Sequence, residues 1–273
     1  MALKLVGSEG FVVSESAHGA DVGLEKFFNI KCRYSGLQPN VVVMVATVRT
    51  LRMHGGAAPV RVGWSLPKEY SQENIKQVEQ GCYHLRKQVE NAKAFGLPVI
   101  VAVNTFRGDT DAELELVCCQ AKQAGALDAV LCTNWSKGGA GALNLAEAVR
   151  RAAKLPGRFK FLYEPQIPAA EKLRSVAKQM YGAKDIDFSP KAKEKLELYT
   201  KQGFGNLPVC IAKTHLSLSN DPKLKGVPTD FILPITDVKA NAGAGFLCCL
   251  TDSTNTEMVD PVWPGFHGNN LLQ

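Results

Sequence analysis

The chain has 273 residues, 45% hydrophobic and 21% charged, with a formal net charge of +6. That is enough apolar chain for a sizeable core, as one large α/β domain or two smaller ones. The basic residues are dispersed rather than interleaved with aromatics, which argues against nucleic acid, and the longest apolar runs are strand-sized, which argues against a membrane span.

Residues 11–36 mix turn and helix signals, with Leu24 to Lys31 following the polar Glu15 to Asp21. Asn40 to Val48 is a β-branched run and predicts a buried strand ending at Arg49. Arg52, His54 and the pair Gly55-Gly56 come just after it. This basic cluster is either an anion site, where glycines let backbone N–H groups approach, or a solvated loop with two ordinary arginines. Ser71 is expected to cap a helix reaching Phe95. Its residues Ile75, Val78, Cys82, Leu85, Val89 and Ala92 recur three and four apart, and Gly96 and Pro98 stop it. His84 lies close to that stripe and reads as a boundary residue.

Pro98 to Val103 is the next apolar run, breaking at Asn104. A helix is predicted over 110–124, a second strand over 126–133, and a further helix after Gly141 with Leu143, Leu145, Ala146 and Val149 on its apolar side. Continuous apolar runs alternating with helices are the pattern of parallel strands buried on both faces. Ligands of such sheets lie beyond the carboxyl ends of the strands. Phe106 and Trp135 each follow a strand at that edge. Neighbouring strands are about 4.8 Å apart, so the two rings either face a common flat ligand or simply fill the rim.

After Pro156-Gly157 the character changes. Phe159 to Tyr163 alternates like an edge strand. Helices are expected over 169–181 and from Ser189-Pro190 to Gly203. Leu207 to Lys213 is strand-like and runs into Thr214 to Pro222. That loop, dense in hydroxyls with Lys213 at its mouth, either holds phosphate or carboxylate groups or is an Asx- and Ser-rich turn. Phe231 to Pro234 is a last short strand, and Val238 to Gly245 is rich in small residues. From Leu247 onward no period survives, and a loose terminus is expected. The division is therefore 1–157, a parallel sheet flanked by helices; 158–246, a smaller C-terminal α/β domain; and 247–273, a divergent, disordered tail.

The eight cysteines lie mostly in apolar runs without a CxxC. They read as small buried hydrophobes of a reducing compartment, with no metal site. Met1 to Val6 is too short for the apolar core of a signal sequence, so a soluble intracellular protein is expected, cytoplasmic or alternatively mitochondrial.

Several longer strings point further: Phe27-Phe-Asn-Ile-Lys-Cys-Arg33, Val45-Ala-Thr-Val-Arg49 with Met53-His-Gly-Gly56, Gln202-Gly-Phe-Gly-Asn-Leu-Pro208, and Ala212-Lys-Thr-His-Leu-Ser-Leu-Ser219. In this order they resemble formate–tetrahydrofolate ligase, the 10-formyltetrahydrofolate synthetase family, from about Gly10 to Phe246. The resemblance implies condensation of formate with tetrahydrofolate, driven by ATP with Mg²⁺ through formyl phosphate, without a tightly bound cofactor. It implies that Phe106 and Trp135 sandwich the pterin ring, and that Arg49 sits in or near the cleft. Arg49 and Lys213 are the candidates for catalysis, and Arg52, Thr214, Ser217 and Ser219 for nucleotide or anion contact.

Three departures qualify this. No GxxxxGK[ST] occurs, so the phosphate loop of the family is missing and the chain resembles only the C-terminal portion of the enzyme, as a truncated isoform would. The resemblance is expected to end at Phe246. His18, within Glu15-Ser-Ala-His-Gly19, stands where the family has an aromatic. The chain alone is therefore expected to be inactive, and its expected partners are a second copy, as a homo-oligomer, or a chain that supplies the N-terminal part. The alternative is a non-catalytic folate-binding or interaction module. A dinucleotide-binding dehydrogenase is disfavoured, since no GxGxxG follows any strand.

Overall fold

The computed structural model describes residues 1–58, 60 and 67–251. Labels are given to the strands and the longer helices. The first sheet contains β1 (Val42–Ala46), β2 (Val99–Asn104) and β3 (Asp128–Cys132), in the order β1-β2-β3. All pairs are parallel, with Val42 opposite Val99 and Ile100 opposite Asp128. The fold is α/β, as expected. α1 (Val48–His54) and α2 (Ile75–Lys93) lie between β1 and β2, α3 (Asp111–Gln123) joins β2 to β3, and α4 (Leu143–Ala152) follows.

The central strand shows why its run is unbroken. Val101 and Val103 pack with Leu51, Val78, Leu85 and Val117 from α1, α2 and α3, while Ile100 packs with Ala148 and Ala152 of α4. Every residue of β2 up to Val103 is buried, so neither face tolerates a polar side chain. Two boundaries differ from the expectation. β1 ends at Ala46 because the Thr47 hydroxyl accepts the Thr50 amide at 3.1 Å and starts α1, so Arg49 and Arg52 ride on a helix and not in a loop. The long helix is capped by Asn74, which accepts from the Gln77 amide at 3.0 Å; Ser71 ends a separate 3₁₀ turn.

The second half holds α5 (Ala169–Val176), β4 (Asp185–Phe188), α6 (Pro190–Lys201), β5 (Val209–Ala212), β6 (Ile232–Ile235), β7 (Asp237–Asn241) and β8 (Phe246–Leu250). β4 pairs with β6, and β8 is central between parallel β5 and antiparallel β7. Ser189 caps α6 through the Ala192 amide with proline in the first turn, as the Ser-Pro signal predicts. β4 was not anticipated: four residues between helices carry too short a pattern. Phe159 to Tyr163 forms no strand. The Arg158 and Lys160 amides bond to Gly96 and Phe95 carbonyls, and Phe159 packs edge-on against Phe28 and Phe161. Its alternation reflects aromatic packing, not a ladder.

The largest core crosses residue 157. Phe28, Phe95, Leu97 and Val99 share one buried cluster with Leu173, Met180, Ile211, Leu233 and Leu247. The expected boundary there does not separate two cores. The expected tail also needs correction at its start. Leu247, Cys248 and Cys249 are at most 1% exposed in the middle strand of their sheet, where a run without alternation is what burial on both faces requires. Residues 252–273 lie outside the described residues. Among the described residues, no helix is long and apolar enough to cross a membrane.

Candidate functional site

The carboxyl edge of β1-β2-β3 is built by three short connections. After β2, the Phe106 amide donates to the Asp109 carboxylate at 2.8 Å, and the Asp109 amide returns a bond to the Phe106 carbonyl at 3.1 Å. Gly108 between them has φ +100°, a conformation L side chains rarely take. Burial raises the Asp109 pKa, against the opposing pull of its Phe106 hydrogen bond and of Arg49. After β3, the Thr133 amide donates to the Gly141 carbonyl at 3.0 Å. A Cβ on Gly141 would meet the Thr133 carbonyl carbon at 2.5 Å, so only glycine allows the loop to close on itself.

This closed loop carries Trp135 on the short helix Asn134–Lys137, 88% exposed. An indole of that exposure does not fill the rim of the sheet. Phe106 is half-buried, and the Arg49 guanidinium from the first turn of α1 sits 4.3 Å from its ring centroid. The arginine covers one ring face and brings a positive charge to the edge. Arg49 lies over Phe106 after β2, and Trp135 follows the neighbouring β3 at the same sheet edge.

The other predicted residues are placed differently. Arg52 is 1% exposed and pairs with buried Glu113 at 2.5 Å, while also donating to the Glu69 carbonyl. Glu113 accepts from the Asn74 amide at 2.9 Å and completes a capping box with Thr110. Arg52 is therefore the mortar of three helix ends and presents no free cation. Lys213 is 2% exposed; its ammonium donates to Asp21 at 2.7 Å and to the carbonyls of Thr214 and Ser217. Burial lowers the Lys213 pKa while Asp21 opposes that shift. Asp21, although buried, is held below the ordinary carboxylate range by Lys213.

The hydroxyl loop is satisfied from within. Ser217 donates to the Leu224 carbonyl, Ser219 to that of Asp221, and the Thr214 hydroxyl accepts the Leu216 amide. Of the two sequence readings, the turn describes Thr214, Ser217 and Ser219. Among the described residues, no three His, Cys, Asp or Glu side chains form a metal-holding group.

A separate open depression of about 720 Å³ is lined by His54, Tyr83, Arg86, Lys225 and Gly226, and by neither Phe106 nor Trp135. Sequence reasoning missed that His54, which lines it, stacks on His84, because nothing in the spacing of 54 and 84 announces a contact. The Glu113 anchor was readable, since Thr110-x-x-Glu113 is a capping-box string.

The sequence matches the family model for formate–tetrahydrofolate ligase over residues 1–264, past the point where the resemblance was expected to stop. The cytoplasmic C-1-tetrahydrofolate synthase of Homo sapiens is 57% identical over 271 residues, covering 99% of this chain and 29% of that protein. The mitochondrial monofunctional C1-tetrahydrofolate synthase of Mus musculus is 58% identical over 271 residues, covering 99% and 28%. The mitochondrial C-1-tetrahydrofolate synthase of Saccharomyces cerevisiae is 51% identical over 268 residues, covering 94% and 28%. The chain thus spans less than a third of the length of these relatives.

Proposed function

The chain belongs to the formate–tetrahydrofolate ligase family, and from that premise we propose that its residues supply the folate side of the ATP-dependent formylation of tetrahydrofolate. The observation that carries this reading is Trp135. It is a large apolar surface left in solvent at the carboxyl edge of a parallel sheet, following the strand that neighbours the one leading to Phe106 and its guanidinium. A flat pterin is the part of the family's substrate that fits two aromatic surfaces. Arg49 holds Phe106 in place and supplies charge for the polar rim of that ring.

The residues first considered for nucleotide contact do not form a triphosphate cradle. A phosphate cradle needs a glycine-rich loop with free N–H groups and an unpaired lysine. The 273 residues contain no GxxxxGK[ST], and Lys213 and Arg52 are committed to Asp21 and Glu113. We therefore place neither ATP nor Mg²⁺ on these residues and derive no phosphoryl step from them. The relatives' names include both cytoplasmic and mitochondrial proteins, and eight free cysteines suit the reducing interior of either.

The test is direct titration of the purified chain with tetrahydrofolate and, separately, with ATP. Tetrahydrofolate should bind and quench tryptophan fluorescence, ATP should not bind, and no 10-formyltetrahydrofolate should form from formate and ATP. Trp135→Ala should weaken folate binding several-fold, since stacking is worth about 1 kcal/mol per ring. Its melting temperature should not move, because the side chain packs against little. Unchanged folate affinity in that variant would remove the aromatic edge from the reading, and turnover by the chain alone would refute the exclusion of ATP.

A further inference from the structure

We propose that Cys210 and Cys248 form an oxidisable pair, a modification site where a peroxide converts two facing thiols into a disulfide. The two residues occupy directly opposed register positions on neighbouring parallel strands, β5 and β8. Adjacent strands lie about 4.8 Å apart, within the Cα range that a disulfide spans. The Cys248 thiol already donates to the Cys210 sulfur at 4.0 Å. Rotation of the side chains must close that gap to about 2.05 Å, with no change in strand pairing. Among the described residues, this is the one hydrogen bond between two cysteine sulfurs.

The surroundings select this pair. Both side chains lie on the face of the sheet that packs beneath Ile30, apart from Cys249, which points into the main core. Lys26, one turn before Ile30, brings a positive charge close to Cys210. The bond from Cys248 lowers the Cys210 pKa against the opposing effect of burial, and the Lys26 charge adds to the lowering. The Cys248 thiol is raised, because it donates to Cys210 and is buried. Cys210 is thus the more acidic partner, suited to attack as its thiolate, and Cys248 is the thiol that resolves it, the division of labour that disulfide formation needs.

The chemistry balances with hydrogen peroxide as oxidant. The Cys210 thiolate attacks one peroxide oxygen and breaks the O–O bond, giving a sulfenic acid and hydroxide. Cys248 sulfur then displaces the sulfenic oxygen, forming the S–S bond, and the Cys248 proton and the displaced hydroxide leave as water. The hydroxide from the first step takes up the proton that Cys210 released on ionising, so two thiols lose two electrons and one peroxide becomes two waters. β5 runs directly into Lys213, which anchors Asp21, and Lys26 faces Cys210. Oxidation therefore falls between two attachments of the 20–32 segment and changes the sulfur that Lys26 faces.

The experiment treats the full chain with hydrogen peroxide at pH 7, blocks remaining thiols under denaturation, and maps linked peptides by mass spectrometry. A Cys210–Cys248 crosslink should appear, with Cys249 unlinked in the fragment spectra. Lys26→Met should slow its formation roughly tenfold at pH 7, and Lys26→Arg should restore the rate. In Cys248→Ser, a sulfenic acid should accumulate at Cys210 and be trapped by dimedone, a readout that holds even if Lys26→Met folds poorly. Oxidation confined to exposed Cys119, with Cys210 still alkylatable after unfolding, would overturn the proposal, as would an unchanged rate in folded Lys26→Met.

Discussion

His54 and His84 stack face to face, 3.6 Å between ring centroids and 7° between planes, and both bond to the same residue, Gly226. The Gly226 amide donates to His54 Nδ1 at 3.3 Å, while its carbonyl lies 3.0 Å from His84 Nδ1. The bonds assign the tautomers: His54 carries its proton on Nε2, and His84 carries its proton on Nδ1 and accepts from Gln88 at Nε2. Gln88 in turn donates to Asp21. Two helices and the 224–229 loop are thus held by a pair of neutral rings.

That clamp predicts a pH dependence. Burial, with His84 as neighbour, lowers the His54 pKa to about 3, and burial lowers that of His84 as well. A folded-state pKa below the unfolded value means that the contribution is complete above about pH 6.5 and is lost as pH falls below it. A proton on His54 Nδ1 would also face the Gly226 amide donor to donor. Hydrogen exchange of Gly226, corrected for its intrinsic pH dependence, should speed up between pH 6.5 and 4. Imidazole resonances of His54 that titrate near 6.5 in the folded protein would contradict the clamp.

The Arg52–Glu113 pair predicts a large stability effect without a direct binding effect. Both groups are buried, and removing one partner of such a pair typically costs about 3–5 kcal/mol. Arg52→Met should lower the urea midpoint accordingly, because Glu113 keeps only the Asn74 and Thr110 amides. Folate titration of the remaining folded fraction should be unaltered. Normal stability with lost ligand binding would return Arg52 to the functional role first considered for it.

Glu25 predicts an alkaline effect of opposite sign to the histidines. It is fully buried, one carboxyl oxygen bonds to Asn29 at 2.8 Å, the other has no partner, and burial raises its pKa to about 8. With the folded pKa above the unfolded one, the folded state holds the proton. Stability is therefore full below about pH 4.5 and is eroded as pH rises from there to about 8, where the folded carboxyl also ionises. Glu25→Gln should flatten this loss, so the variant gains on the parent between pH 5 and 8 by chemical denaturation. A constant difference across that range would show that Glu25 is charged in the folded protein.

The sequence by itself determined the alternation of strands and helices from Val42 to Ala152, because a strand buried on both faces must be an unbroken apolar run and a covering helix must carry a stripe. It also determined the edge on which Phe106 and Trp135 stand, since each follows a strand's last residue. Only the tertiary structure decided what the charged candidates do. Arg49, Arg52 and Lys213 look alike in a string, each a cation just past a strand. Arg49 lies over Phe106, while Arg52 and Lys213 meet Glu113 and Asp21 from 61 and 192 residues away. Burial without a partner would cost each cation several kcal/mol, so the partner settles whether a charge serves the fold or faces a ligand. The same holds at the C-terminal end of the described residues. Leu247 to Leu250 carries no alternation, and only its seat between β5 and β7 shows the run to be an interior strand.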